Sequence, residues 1–322
     1  MTSAADARFM ARALALAAEG LGRTFPNPPV GAVFARGGRV VGEGFHRRAG
    51  APHAEIEALR AAGGRVRGAT LYVTLEPCAH HGRTPPCADA LIDAGVAAVV
   101  AGCLDPHPEH GGGLERLRSA GVGVSVEEGE AGFRCRVQNE EWRTWVSKGR
   151  PFVILKLAVT LDGRVTVPGE RWVSGEESRL RVHELRACGD AVAVGMGTAR
   201  ADEPTLTARD VDVPRQPRRL VFGRGPLPAG SELELRSGPI GEELSALAAE
   251  GVQSLLLEGG PTIAAAFLRE DLVDKLDVFV APRLAGSGLV FAPELPAPVE
   301  IARLRAHQMG DDVLLTAYVH EP

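Results

Sequence analysis

Four residues have the types and spacing to do chemistry together: His53, Glu55, Cys78 and Cys87. One imidazole and two thiols are ligands that suit zinc. Three protein ligands leave a fourth tetrahedral position open, as in catalytic rather than closed structural sites. Zinc lowers the pKa of a bound water from about 15.7 to about 7, so a nucleophile exists at neutral pH. Glu55 lies two residues after His53 and is not needed as a ligand. It is free to carry a proton from the water to a leaving amine.

The order His53-Ala54-Glu55, then Pro77-Cys78, then Cys87 follows a general signature for zinc deamination of nucleobases, H-x-E followed by P-C-x-x-C. It departs once, because eight residues (Ala79 to Pro86, reading AHHGRTPP) separate the two cysteines. Ligands need only converge in space, so the longer loop is compatible with the metal. Two histidines, His80 and His81, lie inside it. Each reads as a solvated loop residue, as a contact to substrate, or as a fourth ligand that would close the site into a structural one. Cys103, Cys135 and Cys188 read as structural thiols, since free cysteine is among the most buried residue types.

A chain of 322 residues suggests two domains. Five cysteines, two of them committed to zinc, argue for a reducing, cytoplasmic setting and against a disulfide framework. The net charge of −5 and an aromatic content of 5% argue against nucleic acid, which wants a basic face and stacking rings. A base-modifying enzyme with an RNA-binding half is disfavoured on the same grounds. No run approaches the ~18 apolar residues of a membrane span. The N-terminal stretch reads as a helix rather than a signal peptide.

The elements that must position these residues alternate between helix and strand. Residues 5–19 read as an amphipathic helix stopped by Gly20 and Gly22. Pro26-Asn27-Pro28-Pro29 is a stiff loop. The runs 30–35 and 39–45 flank Gly37-Gly38, a hairpin signal. His53 to Ala62 reads as a helix with His53 in its first turn. Residues 69–75 form a strand that delivers Cys78, and Cys87 opens a helix ended by Gly95. Strand 96–102, helix 113–120, strand 122–126 and a helical stretch over 129–148 follow. Ligands of such layered α/β sheets gather beyond the carboxyl ends of strands. The boundary falls at Lys148-Gly149-Arg150-Pro151, which divides the chain into 1–148 and 149–322.

A second α/β pattern then begins. It has strands over 152–163, 190–195, 218–223 and 252–260, and helices over 176–189, 242–251 and 261–270. The final strands, 275–282 and 312–320, are expected to run antiparallel to part of the sheet. In LLLEGGPT a strand ends, two glycines admit a ligand to the backbone and a helix begins, which suits a phosphate or makes a plain tight turn. The run from Gly195 to Arg200 lacks the third glycine of the dinucleotide fingerprint, so a Rossmann domain is not indicated. Arg186 and Arg209 read as phosphate clamps or as solvated cations.

Taken together, the run from Pro52 to Val96, with its cysteine loop ending H-H-G-R-T-P-P-C, resembles the deaminase half of the bifunctional riboflavin-biosynthesis deaminase/reductase family. LKLAVTLDG, RWVSGEESRLRVHELRA, VGMGTARADEPTLTAR and LEGGPT are similar to that family's reductase half. The likeness covers residues 5–320. It implies a cytidine-deaminase-like α/β/α domain and a dihydrofolate-reductase-like α/β domain. It also implies two reactions. The first is zinc-dependent hydrolytic deamination of 2,5-diamino-6-(ribosylamino)-4(3H)-pyrimidinone 5′-phosphate. The second is NADPH-dependent reduction of the ribosyl group to ribityl. By motif, one zinc per chain would be held by His53, Cys78 and Cys87. Glu55 would be the proton donor, and Asn27 and His80 would face the pyrimidine. Ala158, Trp172, Thr198, Asp202 and the loop Gly260-Pro261-Thr262 would hold NADPH. Arg186, Leu206, Arg209 and Glu258 would hold the substrate. The resemblance further implies a homo-oligomer, dimer or tetramer, formed through the reductase half.

Three positions depart from that family's pattern. Glu170 stands where a serine is usual, and a carboxylate there would repel a substrate phosphate. Gly223-Arg224 replace Asp-Ser, which makes Arg224 a candidate for the 2′-phosphate of NADPH. His107 replaces an asparagine. Because two of the three fall in the second half, the alternative is a zinc deaminase whose C-terminal domain binds nucleotide without reducing.

Overall fold

The computed structural model describes residues 4–80, 85–107, 109–213, 215–292 and 294–322. The chain divides into two compact units, Met1–Ser147 with Pro322, and Lys148–Glu321.

The first unit runs α1 (Ala4–Ala18), β1 (Gly31–Arg36), β2 (Arg39–Phe45), α2 (Ala54–Ala62), β3 (Thr70–Val73), α3 (Cys87–Ala94), β4 (Ala98–Ala101), α4 (Gly113–Ser119), β5 (Gly123–Val126), α5 (Gly129–Gln138) and α6 (Glu140–Lys148). Its sheet has the order β2-β1-β3-β4-β5. Alternation along the strands sends one set of side chains to each face. Phe34, Leu71 and Val99 pack with Ala58, Leu91 and Leu117 from α2, α3 and α4. Val33, Ala35 and Tyr72 pack with Phe9 and Met10 of α1 and with Cys135 and Trp142. The result is an α/β/α sandwich. Gly37 and Gly38, at φ 57° and 74°, make the two-residue turn between Arg36 and Arg39. Both values are open to glycine at little cost.

The mixed strand directions bring the site to one edge. β3 and β4 are parallel, and β1 is antiparallel to both β2 and β3. The start of β1, the end of β2 and the ends of β3 and β4 therefore share one side of the sheet. Asn27 precedes β1, His46 and His53 follow β2, Cys78 follows β3 and Asp105 follows β4. The 129–148 stretch is two helices, not one. Asn139 breaks it at φ −120°, and its carbonyl accepts from Arg143 N at 2.8 Å to start α6.

The second unit runs β6 (Phe152–Thr160), α7 (Glu176–Cys188), β7 (Ala191–Gly195), α8 (Met196–Asp202), β8 (Arg218–Phe222), β9 (Glu234–Arg236), α9 (Ile240–Ala249), β10 (Ser254–Leu257), α10 (Pro261–Arg269), β11 (Lys275–Ala281), β12 (Ala302–Met309) and β13 (Asp312–Tyr318). The order is β12-β13-β11-β6-β10-β7-β8-β9. β11 lies parallel to β6 and antiparallel to β13, and β12 pairs antiparallel with β13 in turn, so the antiparallel pairing expected of the final strands is confined to this edge of the sheet. Leu155, Leu157 and Leu257 build the core with Leu244, Leu247 and Phe267 of α9 and α10. Asp312 of β13 replaces the side-chain cap that α7 lacks. Its Oδ2 accepts from Gly175 N at 2.7 Å and from Ser178 Oγ at 2.6 Å.

Candidate active sites

In the first unit, His53 is the N-cap of α2 rather than a residue of its first turn, with extended backbone at φ −67° and ψ 161°. Its Nδ1 faces both thiols, 3.7 Å from Cys78 Sγ and 3.4 Å from Cys87 Sγ. The three ligand atoms lie within 4.8 Å of one another. Around a tetrahedral zinc, bonds of about 2.3 Å to sulfur and 2.05 Å to nitrogen put the two atoms about 3.6 Å apart. The observed pair of distances brackets that value, so this donor set fits zinc. The thiols share a proton unequally. Hydrogen bonding from Cys87 drives the Cys78 pKa down, while donation to Cys78 and burial drive Cys87 up.

Glu55, on the first turn of α2, is 3% exposed. Burial pushes its pKa up to about 7, against the pull of His53. A carboxyl poised there both takes and gives a proton near neutral pH.

Sequence reasoning missed His46, a histidine at the end of β2. Its Nε2 is 3.1 Å from Asn27 Nδ2 and its Nδ1 is 3.1 Å from Pro52 O. A carbonyl only accepts, so Nδ1 carries the proton and Nε2 accepts from the amide. Burial, opposed by the Pro52 hydrogen bond, holds the ring below its ordinary pKa and therefore neutral. This fixes the Asn27 carboxamide with its oxygen turned to other partners. The His46 ring also meets the His53 ring edge-on, 5.5 Å between centroids.

His80 sits at the mouth of the cysteine loop, and His81 lies outside the described residues. His80 is not part of the ligand cluster; its ring stacks on His110 instead. Burial, then repulsion from His80 and His107, keeps His110 below its ordinary pKa. Glu76, also missed, is 7% exposed and holds the loop that follows β4. Its Oε2 accepts from Asp105 N, and its Oε1 from Gly112 N and Leu114 N.

In the second unit, parallel β6, β10, β7 and β8 end on one edge. Register sets Leu257 beside Leu155, so Glu258 follows beside Lys156. Lys156 Nζ is 3.8 Å from Glu258 Oε2. Arg186 of α7 grips the same carboxylate bidentately, Nε to Oε1 at 2.5 Å and NH2 to Oε2 at 2.9 Å. Its NH1 donates to Thr207 O at 3.1 Å. Burial alone would raise the Glu258 pKa, but Lys156 and the Arg186 fork outweigh it and keep the carboxyl ionised. Lys156 was not foreseen. The sequence signal was a lone cation inside an apolar strand, since lysine is almost never buried without a partner.

Leu206 is buried, so it can offer a ligand only backbone. It lies on a loop where Glu203, Leu206 and Asp210 all have positive φ, at 42°, 55° and 61°. Such strain in non-glycine residues clusters at ligand sites. Arg209, on the same loop, meets Asp210 at 3.9 Å. Gly259 and Gly195 both abut Ile263 of α10. A Cβ on Gly259 would fall 2.0 Å from Ile263 Cγ2. Gly260 caps α10 without a side-chain bond, Pro261 follows it, and Thr198 Oγ1 lies 3.5 Å from where a Gly260 Cβ would be. This cradle of bare backbone fits a phosphate-bearing cofactor. Ala158 is on the β6 face toward Val182 and Phe279, Asp202 ends α8, and Thr262 and Arg224 are exposed. Trp172 is half-exposed under the guanidinium groups of Arg171 and Arg179. Glu170 is engaged by Arg283, so its charge is answered within the chain.

Residues 3–103 match the family described as the cytidine and deoxycytidylate deaminase zinc-binding region. Residues 151–230 and 235–315 match the RibD C-terminal domain. Riboflavin biosynthesis protein RibD of Aquifex aeolicus is 38% identical over 349 residues, covering 96% of this chain and 97% of that protein. The Escherichia coli protein of the same name is 38% identical over 369 residues, covering 96% and 98%. The solved Thermotoga maritima deaminase/reductase superposes with a TM-score of 0.81 at 35% identity, covering 98% of each chain. Acinetobacter baumannii RibD gives the same score, identity and coverage.

Fold and site thus define a cytidine-deaminase-like domain joined to a reductase-like domain of the dihydrofolate-reductase kind. The chain belongs to the RibD family of bifunctional deaminase/reductases, which act on the pyrimidine intermediate of riboflavin biosynthesis. No described helix is long and apolar enough to cross a membrane.

Proposed function

We propose that this chain deaminates 2,5-diamino-6-(ribosylamino)-4(3H)-pyrimidinone 5′-phosphate with zinc and then reduces the ribosyl group with NADPH. The carrying observation is the convergence of His53 Nδ1, Cys78 Sγ and Cys87 Sγ within 4.8 Å, beside the buried Glu55. Zinc held there supplies a water acidic enough to attack at neutral pH. Glu55 takes a proton from that water and returns it to the amine, which leaves as ammonia. A carboxyl at its ordinary pKa would be a poor donor in the second step. Asn27, held by His46, and His80 would orient the pyrimidine ring.

In the second unit, Ala158, Trp172, Thr198, Asp202, Arg224 and the Gly260-Pro261-Thr262 turn hold NADPH, which supplies the hydride when bound. Arg186, Leu206, Arg209 and Glu258 serve the substrate. Three of the five Arg186 donors go to Glu258 and Thr207, so much of its work is to fix those groups. Arg209, 3.9 Å from Asp210, keeps its donors for the phosphate. The protein's share in hydride transfer is placement of the sugar carbon. Domains 1–148 and 149–322 carry the two steps, and one zinc and one NADPH site per chain suffice.

The test is to incubate the protein with the diamino ribotide, with and without NADPH, and read products by mass spectrometry. Deamination in both tubes and a further two-hydrogen gain with NADPH is the expected result. Deamination alone in both tubes would reduce the second unit to a nucleotide-binding domain. No deamination by zinc-replete protein overturns the reading.

A further inference from the structure

Two histidines of the loop after β4, His107 and His110, have no part in the chemistry above, yet they form a stack that ends on His80. The His107 and His110 rings lie 3.7 Å apart and 6° from parallel. His110 and His80 lie 4.0 Å apart and 15° from parallel. The loop is also tied to the cysteine turn through backbone, because Ala79 N donates to His110 O at 3.3 Å. Its two ends are pinned by the Glu76 carboxylate, through Asp105 N at 3.2 Å and Gly112 N at 3.1 Å. Glu76 directly precedes Pro77-Cys78, so loop and ligand turn form one piece.

His80 needs such a support. Its Nδ1 is buried with no hydrogen-bond partner among the described residues. A buried imidazole nitrogen is costly unless something pairs with it. The last torsion of histidine is broad and roughly two-fold, so the side chain does not fix its own ring plane. The stack on His110 supplies that constraint.

We propose that His110 is a positioning residue for deamination: its ring, backed by His107, fixes the plane of the His80 imidazole against the bound pyrimidine. This rests on the reading of His80 as a substrate contact. Aromatic pairs contribute enough beyond their buried area to change affinity by roughly three- to tenfold.

The test compares full-length wild type with His110→Ala, His110→Phe and His107→Ala. Ammonia release against substrate concentration gives kcat and KM, zinc content is measured on each protein, and reduction of the deaminated intermediate reports on the second unit. His110→Ala should raise the deamination KM by roughly three- to tenfold and move kcat less than about twofold. His110→Phe keeps a flat ring and should recover most of that loss. His107→Ala, one ring further away, should have a smaller effect in the same direction. A wild-type KM in His110→Ala, or no recovery in His110→Phe, overturns the proposal. Loss of zinc in His110→Ala also overturns it, in favour of a purely structural role. A wild type that does not deaminate at all removes the reading on which the proposal stands.

Discussion

The two units place their sites at the same kind of location, the carboxyl edge of a sheet, by opposite means. The first fills the edge with side chains. The reversed β1 puts its start beside the ends of β2, β3 and β4, so four separate segments meet there, and each contributes a donor, an acceptor or a ligand. The second uses backbone and a few charges. Gly195 and Gly259 let Ile263 of α10 pack against the strand ends, Gly260 leaves the helix start bare, and one partly buried ionic cluster of Lys156, Arg186 and Glu258 supplies the charge. A metal-assisted hydrolysis needs particular atoms at particular separations. A dinucleotide and a sugar phosphate need room and exposed backbone N–H groups.

Four changes would break or sharpen this contrast. The largest effect is expected from Glu55→Gln, which should lower deamination about 10²- to 10⁴-fold. Zinc content and the reduction rate should stay unchanged, as metal analysis and NADPH oxidation on the deaminated intermediate would report. Next is Arg186→Lys, which leaves a point charge where a fork held two oxygens and a carbonyl. Hydrogen bonds to charged groups contribute about 1.5–3 kcal/mol, so reduction should fall roughly ten- to a hundredfold with deamination untouched. Third, Gly259→Ala should weaken NADPH binding roughly tenfold in a fluorescence titration, because the new methyl meets Ile263 and overpacking costs about 1–3 kcal/mol. Adding Ile263→Ala should relieve most of that loss; if it does not, the cradle reading of this edge fails.

The smallest effect concerns pH. The unfolded His46 ring titrates near about 6.5 and the folded ring lower, so the unfolded chain binds the extra proton first. Its contribution to stability is complete above about pH 6.5 and is lost as pH falls through the folded value. Thermal melts of wild type between pH 7.5 and 5.5 (about one unit either side of that value) should show a steeper loss than those of His46→Gln. Equal slopes would mean that the ring is not held neutral.

The same contrast explains what could be read from the sequence. His53, Glu55, Cys78 and Cys87 were legible because their chemistry depends on residue type, and their elements carried clear strand and helix patterns. His46 and Glu76 were not, because their work is to hold other residues and nothing in their local pattern marks it. In the second unit three of the four helices and the inner strands were legible, while α8, at seven residues, was too short to show a helical period. β9 was too short to show a period. β12 is an exposed edge strand with almost no apolar contrast. The direction of β11 is a property of pairing between distant segments, which a local pattern does not contain. Lys156 and Glu258 meet only through strand register.

Asp312 caps α7 from β13, and β13 lies inside the sheet between β12 and β11. The helix that carries Arg186 is therefore anchored by a strand that leaves the ribosome long after it. Apart from Pro322, the first unit is complete in sequence by Ser147. At synthesis rates of about 5–20 residues per second, roughly ten to thirty seconds separate the two moments. A nascent molecule thus completes the cluster of His53, Cys78 and Cys87 well before the helix that carries Arg186 is capped.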